Sequence, residues 1–246
     1  EKNPGEINTE AICSPNECVR KFMELCGVSK SNSSVDSAML EYCIREDLKM
    51  SQPRMMAVLD PVKLVIDNYE EGKIEYLDVP NNQENPELGT RKVPFGRELY
   101  IEREDFKIDP PRKYFRLFPG NEVRLMSAYF VTCTDVVKDE AGNVVEVHCT
   151  YDPETKSGSG FTGRKVKGTI HWVAKETAVK AEVRLYENLV DESKGSVYNE
   201  DGSVNINPNS LTVLKDCCLE PNFEGAVGGD SYQFVRNGFF CIDSKD

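Results

Sequence analysis

Two arginines and a tyrosine lie close together in the stretch RKYFRLFPGNEVRL, from Arg112 to Leu125. Its alternation predicts two strands joined by a turn at Pro119-Gly120, with Tyr114, Arg116 and Arg124 on the outward face. An aromatic ring beside two guanidinium groups suits unpaired RNA, because the ring stacks on a base and each planar group donates hydrogen bonds. The alternative is a solvated charged face balanced by glutamates, and spacing alone favours neither.

The other face of this predicted hairpin is apolar. Phe115 and Leu117 on the first strand, and Val123 and Leu125 on the second, alternate with the polar positions. We therefore expect these side chains to point into a core and to fix the outward direction of the arginines.

Few residues support catalysis. The only histidines, His148 and His171, have no cysteine or histidine at metal-ligand spacing, and we interpret both as structural. No G-x-S-x-G, P-loop or G-x-G-x-x-G pattern occurs. Lys49-Met50-Ser51 spells the start of an ATP-binding signature, but Gln52-Pro53 follows where a second lysine is needed. We interpret this segment as the polar end of a helix.

The overall composition limits the possible classes of function. A formal net charge of −12 argues against indiscriminate nucleic-acid binding, although a locally basic face can still bind one RNA shape. The nine cysteines show no paired CxxC spacing, so we expect reduced thiols, no zinc and a cytoplasmic location. With no membrane-length apolar run and no secretory leader, we expect a soluble protein. A start at Glu1 rather than methionine suggests a piece of a longer chain.

Helical and strand patterns divide the chain. A capping box at residues 14–17 predicts a helix that stops at Gly27, and a second helix is predicted over about residues 34–48. From Met56 onward, short strands alternate with turns, including turns at residues 140–143 and at Asn237-Gly238. This pattern predicts a mainly β protein, and two closed barrels would remove most exposed strand edges.

Several long motifs carry a family resemblance. They run in order over about residues 20–246: IREDL, PRMMAVLDPVKLVIDNY, RKVPFGRELYIEREDF, NEVRLMSAY, CTYDPET, GRKVKGTIHWV, RLYENL and GFFCIDS. Together they resemble the C-terminal half of glutaminyl-tRNA synthetases, in the bacterial form.

The resemblance implies a fold. It implies an N-terminal tail and α-helical connector over residues 1–52, then two six-stranded anticodon-binding β-barrels of the ribosomal-protein-like type. The proximal barrel is expected to comprise residues 53–110 and about 210–246, and the distal barrel about 111–209. The distal barrel would thus be an insertion into the proximal barrel, and the closure of the proximal barrel would bring Arg54 and Gln233 into one pocket.

The resemblance also implies an RNA-binding set. Arg54 and Gln233 match positions that enclose the middle uridine of the anticodon, Arg116 one that reads the third-position guanosine, and Arg124 one at the first position. The full set of expected contacts is Arg54, Lys113, Tyr114, Arg116, Arg124, Gln233 and Arg236. Phe115 and Lys113 depart from the family pattern, which has lysine and glutamine at these positions in a bacterial member.

The implied function is recognition of the glutamine tRNA anticodon stem-loop by a monomer. ATP would bind in a catalytic domain upstream, so this chain alone is expected to be inactive, without cofactor, metal or membrane contact. Three alternatives remain: the anticodon-binding region of a barrel-type glutamyl-tRNA synthetase, a stand-alone barrel that binds RNA or a partner protein, and a fragment with its own hydrolytic or ligase activity.

Overall fold

The computed structural model describes residues 17–27, 35, 37–191, 193, 195–223 and 225–243. Within these residues two α-helices precede a long series of strands. The prediction of a mainly β protein with a short helical connector is therefore confirmed. No helix in the described part of the chain combines the length and apolar character needed to cross a membrane.

Helix α1 ends where the sequence predicts, whereas α2 begins and ends about three residues later than the predicted 34–48. Helix α1 spans Glu17–Cys26, and Gly27 follows it in the left-handed conformation, with φ of 70°. The predicted capping box falls largely outside the described residues. Helix α2 spans Ser37–Ser51 and stops just before Pro53, which lacks the amide hydrogen needed to continue it.

The cysteines are mostly free thiols, as the sequence predicts. Cys43, Cys133, Cys149, Cys217 and Cys218 are free and buried. One prediction about the thiols is wrong, because Cys18 in α1 is disulfide-bonded.

The strands of the described residues vary from two to nine residues in length. In chain order they are β1 (Arg54–Met55), β2 (Ala57–Val58), β3 (Pro61–Ile66), β4 (Glu75–Pro80), β5 (Thr90–Phe95), β6 (Glu98–Glu102), β7 (Glu122–Leu125), β8 (Phe130–Lys138), β9 (Val144–Asp152), β10 (Thr169–Ile170), β11 (Val173–Ala174), β12 (Val179–Tyr186), β13 (Leu211–Leu219), β14 (Ser231–Phe234) and β15 (Gly238–Cys241).

The chain forms two compact units. The first unit takes its residues from Glu1–Met56, Tyr76–Pro94 and Pro221–Asp246, and the second from Ala57–Glu75 and Phe95–Glu220. How the strands divide between a proximal and a distal barrel stays a prediction.

The first unit contains the helices and two small sheets. One sheet has the order β1-β14-β15, and β4 pairs with β5 in the other. Phe234 on β14 is buried, stacks on Phe240 at a centroid distance of 4.2 Å, and meets Phe223 edge-on at 5.7 Å. These aromatic contacts fix β14, the strand that carries Gln233.

The second unit contains a seven-stranded sheet with the order β10-β7-β8-β9-β3-β6-β11, and a three-stranded sheet with the order β12-β13-β2. The predicted hairpin between β8 and β9 is confirmed, with the turn closed by a hydrogen bond from Asp139 N to Asn143 O at 2.9 Å. In the core, Phe95 meets Trp172 edge-on at 5.0 Å, and the Trp172 indole donates to Met126 O. This core supports β7, which carries Arg124.

Candidate nucleic-acid interface

Arg54 and Gln233 lie side by side in the first unit. Strands β1 and β14 are parallel, and Arg54 is paired with Gln233 in their register. Gln233 N donates to Pro53 O, and Val235 N donates to Met55 O, each at 2.9 Å. Because paired residues on neighbouring strands project from the same face, residues almost 180 positions apart in sequence form one local site.

This site holds polar atoms that form no hydrogen bond with the described residues. Arg54 Nε and Gln233 Oε1 are buried and have no hydrogen-bond partner among the described residues. A buried unpaired donor or acceptor costs roughly 1–3 kcal/mol, which a ligand with complementary groups would recover. The pair therefore supplies an unused donor and an unused acceptor on neighbouring strands.

A carboxylate occupies the other end of the Arg54 guanidinium. Glu84 Oε1 accepts from Arg54 Nη2 at 2.7 Å, and Lys49 Nζ lies 3.1 Å from Glu84 Oε2. Hydrogen bonds from Arg54 and Lys49 lower the pKa of Glu84. Glu84 is thus an ionised partner that orients Arg54.

The loop that carries Glu84 is anchored on the end of α2. Asn82 is buried and donates to the carbonyls of Lys49 and Gln52 at 2.9 and 3.0 Å, and Asn85 donates to Met50 O at 2.9 Å. The interpretation of Lys49-Met50-Ser51 as a helix end is confirmed, since α2 ends at Ser51. Glu84 and Asn82 were not predicted as site residues, although the asparagine-rich run NNQEN is typical of a turn held by side-chain hydrogen bonds.

Arg236 follows β14 in a turn. The hairpin predicted at Asn237-Gly238 is confirmed, because β14 and β15 pair in antiparallel orientation. Its turn differs from the prediction: Phe234 pairs with Gly238, so the loop is residues 235–237. Arg236 has φ of 68° and is exposed. Its left-handed backbone makes the turn that an asparagine-glycine pair was expected to make.

The hairpin predicted for the second unit is also wrong in its first half. Residues 112–118 form no strand, whereas Glu122–Leu125 forms β7 as predicted. Lys113 adopts φ of 69°, which breaks the alternation. Leu117 instead bonds to the segment before it, with Leu117 N donating to Asp105 O and Lys107 N to Leu117 O. This interaction within the second unit, which the sequence pattern does not reveal, replaces the strand.

Arg116 therefore lies against a short 3-10 turn over Arg103–Asp105. Its guanidinium is 2.8 Å from the Glu104 carboxylate and 3.2 Å from that of Asp105, which is fully buried. Tyr114 is close by, with its hydroxyl donating to Glu104 O at 2.9 Å and Lys107 Nζ lying 5.4 Å from its ring centroid. Arg116 has a structural role in addition to any role in binding.

Arg124 has a different environment. Its Nη1 donates to Ser157 Oγ at 2.8 Å, Thr155 O at 3.2 Å and Ala128 O at 3.4 Å, and its guanidinium lies 4.2 Å from the Phe130 ring centroid. No carboxylate of the described residues forms an ion pair with it, and burial lowers its pKa. Arg124 is a half-buried positive charge held by neutral groups.

The predicted apolar face is only partly correct. Leu117, Val123 and Leu125 are fully buried. The prediction that Phe115 points into the core is wrong, because half of its surface is exposed. Lys113 is exposed as well and forms no ion pair with a described residue.

The histidines have structural partners. His148 lies 2.8 Å from both Asp67 and Glu146, and the hydrogen bond to Asp67 raises its pKa. His171 is buried, 3.4 Å from Glu102. The described residues contain no group of His, Cys, Asp and Glu arranged to hold a metal ion.

Two family profiles match the chain. Both carry the description "tRNA synthetases class I (E and Q), anti-codon binding domain", one over residues 52–152 and the other over residues 169–243. These ranges include β1, β7 and β14, the strands that hold Arg54, Arg124 and Gln233.

Individual relatives are similar over most of the chain. The glutamine–tRNA ligase of Clostridium perfringens is 56% identical over 229 residues, and that of Clostridioides difficile is 56% identical over 233 residues. The glutamine–tRNA ligase of Nitrobacter winogradskyi is 49% identical over 229 residues. These alignments cover 92–93% of this chain but 41% of each relative, so the chain spans about two fifths of their length.

Proposed function

The chain belongs to the anticodon-binding domain family of class I tRNA synthetases for glutamate and glutamine, and we propose that it binds the anticodon loop of glutamine tRNA. The assignment to glutamine rests on the high identity to relatives named glutamine–tRNA ligase. Because the chain spans only part of those relatives, we further propose that the activation of glutamine with ATP takes place in a catalytic region outside it.

The single observation that carries this proposal is the donor and acceptor left unused between β1 and β14. Arg54 Nε offers a proton and Gln233 Oε1 offers a lone pair, and neither has a partner among the described residues. Uracil presents a matching edge, with the N3–H donor beside a carbonyl acceptor. A middle uridine held between Arg54 and Gln233 would satisfy both groups, which supports anticodon reading at this position.

The other bases are assigned to the second unit. We propose that Arg124 contacts the first anticodon base and Arg116 the third, with Lys113 and Tyr114 beside Arg116. Of these assignments, that of Arg124 has the strongest support, because no described carboxylate neutralises its charge. In the first unit, exposed Arg236 is proposed to contact the RNA next to Gln233.

The test is direct titration of this chain with synthetic anticodon stem-loops at fixed salt. The anticodons of glutamine and glutamate tRNAs share the middle uridine and differ at the third base. We expect the glutamine stem-loop to bind more tightly than one with a changed middle or third base, by about 1–3 kcal/mol for each lost base contact.

Two results would count against the proposal in different ways. Equal affinity for the glutamine and glutamate stem-loops would remove the assignment to glutamine but leave anticodon binding. Equal affinity for every loop, including those with a changed middle base, would show that the chain does not read the anticodon.

A further inference from the structure

Phe115 stands out among the eleven phenylalanines of the chain. Half of its surface is exposed, whereas every other phenylalanine is buried or only partly exposed. One exposed apolar side chain is ordinary and needs no explanation by itself. The fixed position of this ring and the charges around it are what make it informative.

The backbone holds Phe115 in place. Leu117, two residues later, is fully buried and donates its amide to Asp105 O, and Tyr114 N donates to Pro111 O at 3.2 Å. The segment before β10 also passes close by. A Cβ atom on Gly168 would lie 1.9 Å from Phe115 O, so this approach requires glycine at position 168. The backbone that carries the ring is therefore packed between its own loop contacts and the segment that contains Gly168.

One lysine contacts the ring, and three further cations are close in sequence to the ring or to that lysine. Lys167 Nζ lies 5.4 Å from the Phe115 ring centroid, within the range of a cation–π contact. Arg112 and Lys113 precede Phe115 in the same loop, and Lys165 is two residues from Lys167. All of these cations are exposed. We refer to these five residues together as the Phe115 platform.

No carboxylate in the described part of the chain pairs with the cations of the Phe115 platform. None of its cations forms an ion pair with a described residue. Nearby cations do: Lys156 pairs with Glu75 at 2.7 Å, and Arg164 pairs with Glu122 at 2.6 Å. On a chain with a net charge of −12, the Phe115 platform therefore has four exposed cations without an ion pair among the described residues.

We propose that the Phe115 platform binds an unpaired nucleotide of the RNA, with the base stacked on Phe115 and the phosphate neutralised by Lys167. The inference rests on the proposed function, since the nucleotide belongs to the same anticodon loop. An aromatic ring beside unpaired cations is the combination that single-stranded RNA binding uses. A protein partner is less suited, because the platform offers one apolar side chain and no hydrogen-bonded edge.

Stacking has a consequence that separates it from base reading. Every base has an aromatic face, so a stacked base adds affinity with little dependence on its identity. Phe115 is thus expected to tighten binding of matched and mismatched loops equally. Arg54 and Arg124, in contrast, are proposed to favour the matched loop.

The experiment compares Phe115→Leu with Phe115→Trp. Leucine keeps apolar bulk but has no ring, and tryptophan keeps the ring. We expect Phe115→Leu to weaken the glutamine stem-loop by about 5- to 150-fold, equivalent to about 1–3 kcal/mol. Phe115→Trp is expected to bind like the parent. Tyr186→Leu is the matched control, because Tyr186 is an exposed aromatic residue on β12 and is not near a set of unpaired cations in sequence.

A second readout reports stacking directly. Stem-loops carrying 2-aminopurine at each unpaired position in turn should show quenched fluorescence at one position with the parent chain. Phe115→Leu should lose that quenching and Phe115→Trp should keep it. Lys167→Met should lower the slope of log affinity against log salt by about 0.7, the value for one phosphate contact on a single strand.

The outcomes separate the inference from the proposed function. If the parent chain binds the glutamine stem-loop and Phe115→Leu binds it equally well, the inference is wrong and the proposed function stands. The inference is also wrong if Tyr186→Leu loses as much affinity, or if the loss depends on the anticodon. If the parent chain binds no stem-loop, the proposed function fails, and this inference fails with it.

Discussion

Replacing Arg124 with lysine tests whether this half-buried charge reads a base. Nη1 of Arg124 already donates to Ser157, Thr155 and Ala128, while Nε and Nη2 have no hydrogen bond to the described residues. Nε and Nη2 form one edge of the guanidinium, which can donate two parallel hydrogen bonds. Lysine keeps the positive charge but has no such edge.

The expected size follows from that edge. A bidentate contact to a base contributes about 1–3 kcal/mol of discrimination, which corresponds to about 5- to 150-fold in Kd. Arg124→Lys should weaken binding by this amount for a stem-loop with the first base of a glutamine anticodon, and by less for a stem-loop with a purine at that position. Because the charge remains, the salt dependence of binding should not change.

The assay is stem-loop titration at several salt concentrations, with Arg184→Lys as the matched control. Arg184 on β12 is an exposed arginine that pairs with Glu182 at 2.9 Å, so its replacement changes the same chemistry at another position. Arg124→Ala should in addition lower the salt slope by about 0.7. It should also lower Tm, since Ser157 and the neighbouring carbonyls lose their donor.

Two results would refute this reasoning. If Arg124→Lys binds the matched stem-loop as tightly as the parent, the free edge of Arg124 contacts no base. If its loss is the same for loops with different first bases, Arg124 contacts a phosphate.

Four further predictions concern other parts of the chain. Arg54→Ala should weaken binding of the glutamine stem-loop more than binding of a loop with a changed middle base, which reduces discrimination at that base. Arg54→Lys should restore this discrimination poorly. An equal loss of affinity for both loops would make Arg54 a phosphate contact. Arg116→Ala should lower both Tm and the affinity for the stem-loop, because buried Asp105 loses a charged partner worth about 1.5–3 kcal/mol. Arg116→Lys should restore Tm more than it restores affinity. An unchanged Tm for Arg116→Ala would contradict the structural role of Arg116. Burial opposes ionisation of Glu102, but hydrogen bonds from His171 and two backbone amides lower the pKa of Glu102 from 4.5 to about 2. The ionised carboxylate therefore stabilises the folded state fully above about pH 4.5, and this stabilisation is lost as the pH falls towards 2. Glu102→Gln should therefore cost on the order of 3 kcal/mol in urea unfolding at pH 7 and make stability less dependent on pH below 4.5; parallel pH profiles would contradict this. Finally, the chelator-washed chain should be monomeric by light scattering and free of stoichiometric zinc by elemental analysis.

The sequence determined the elements whose signals are local. Gly27 predicted where α1 ends, and Pro53 limited how far α2 extends. Alternating apolar residues predicted the mainly β fold and the burial of Val123 and Leu125. Such features depend on the conformation of a few neighbouring residues, which the residue types themselves restrict. Long ordered motifs also identified the family, because specific residues at many positions rarely agree by chance.

Only the tertiary structure decided which polar groups meet. Residues 112–118 alternate like a strand, yet the left-handed backbone of Lys113 and the bonds of Leu117 to the preceding segment expose Phe115 and turn Arg116 towards Asp105. The pairing of Arg54 with Gln233, and the orientation of Arg54 by Glu84, likewise join segments distant in sequence. Local patterns cannot predict these contacts, because their energies arise from partners that come together only when the chain folds.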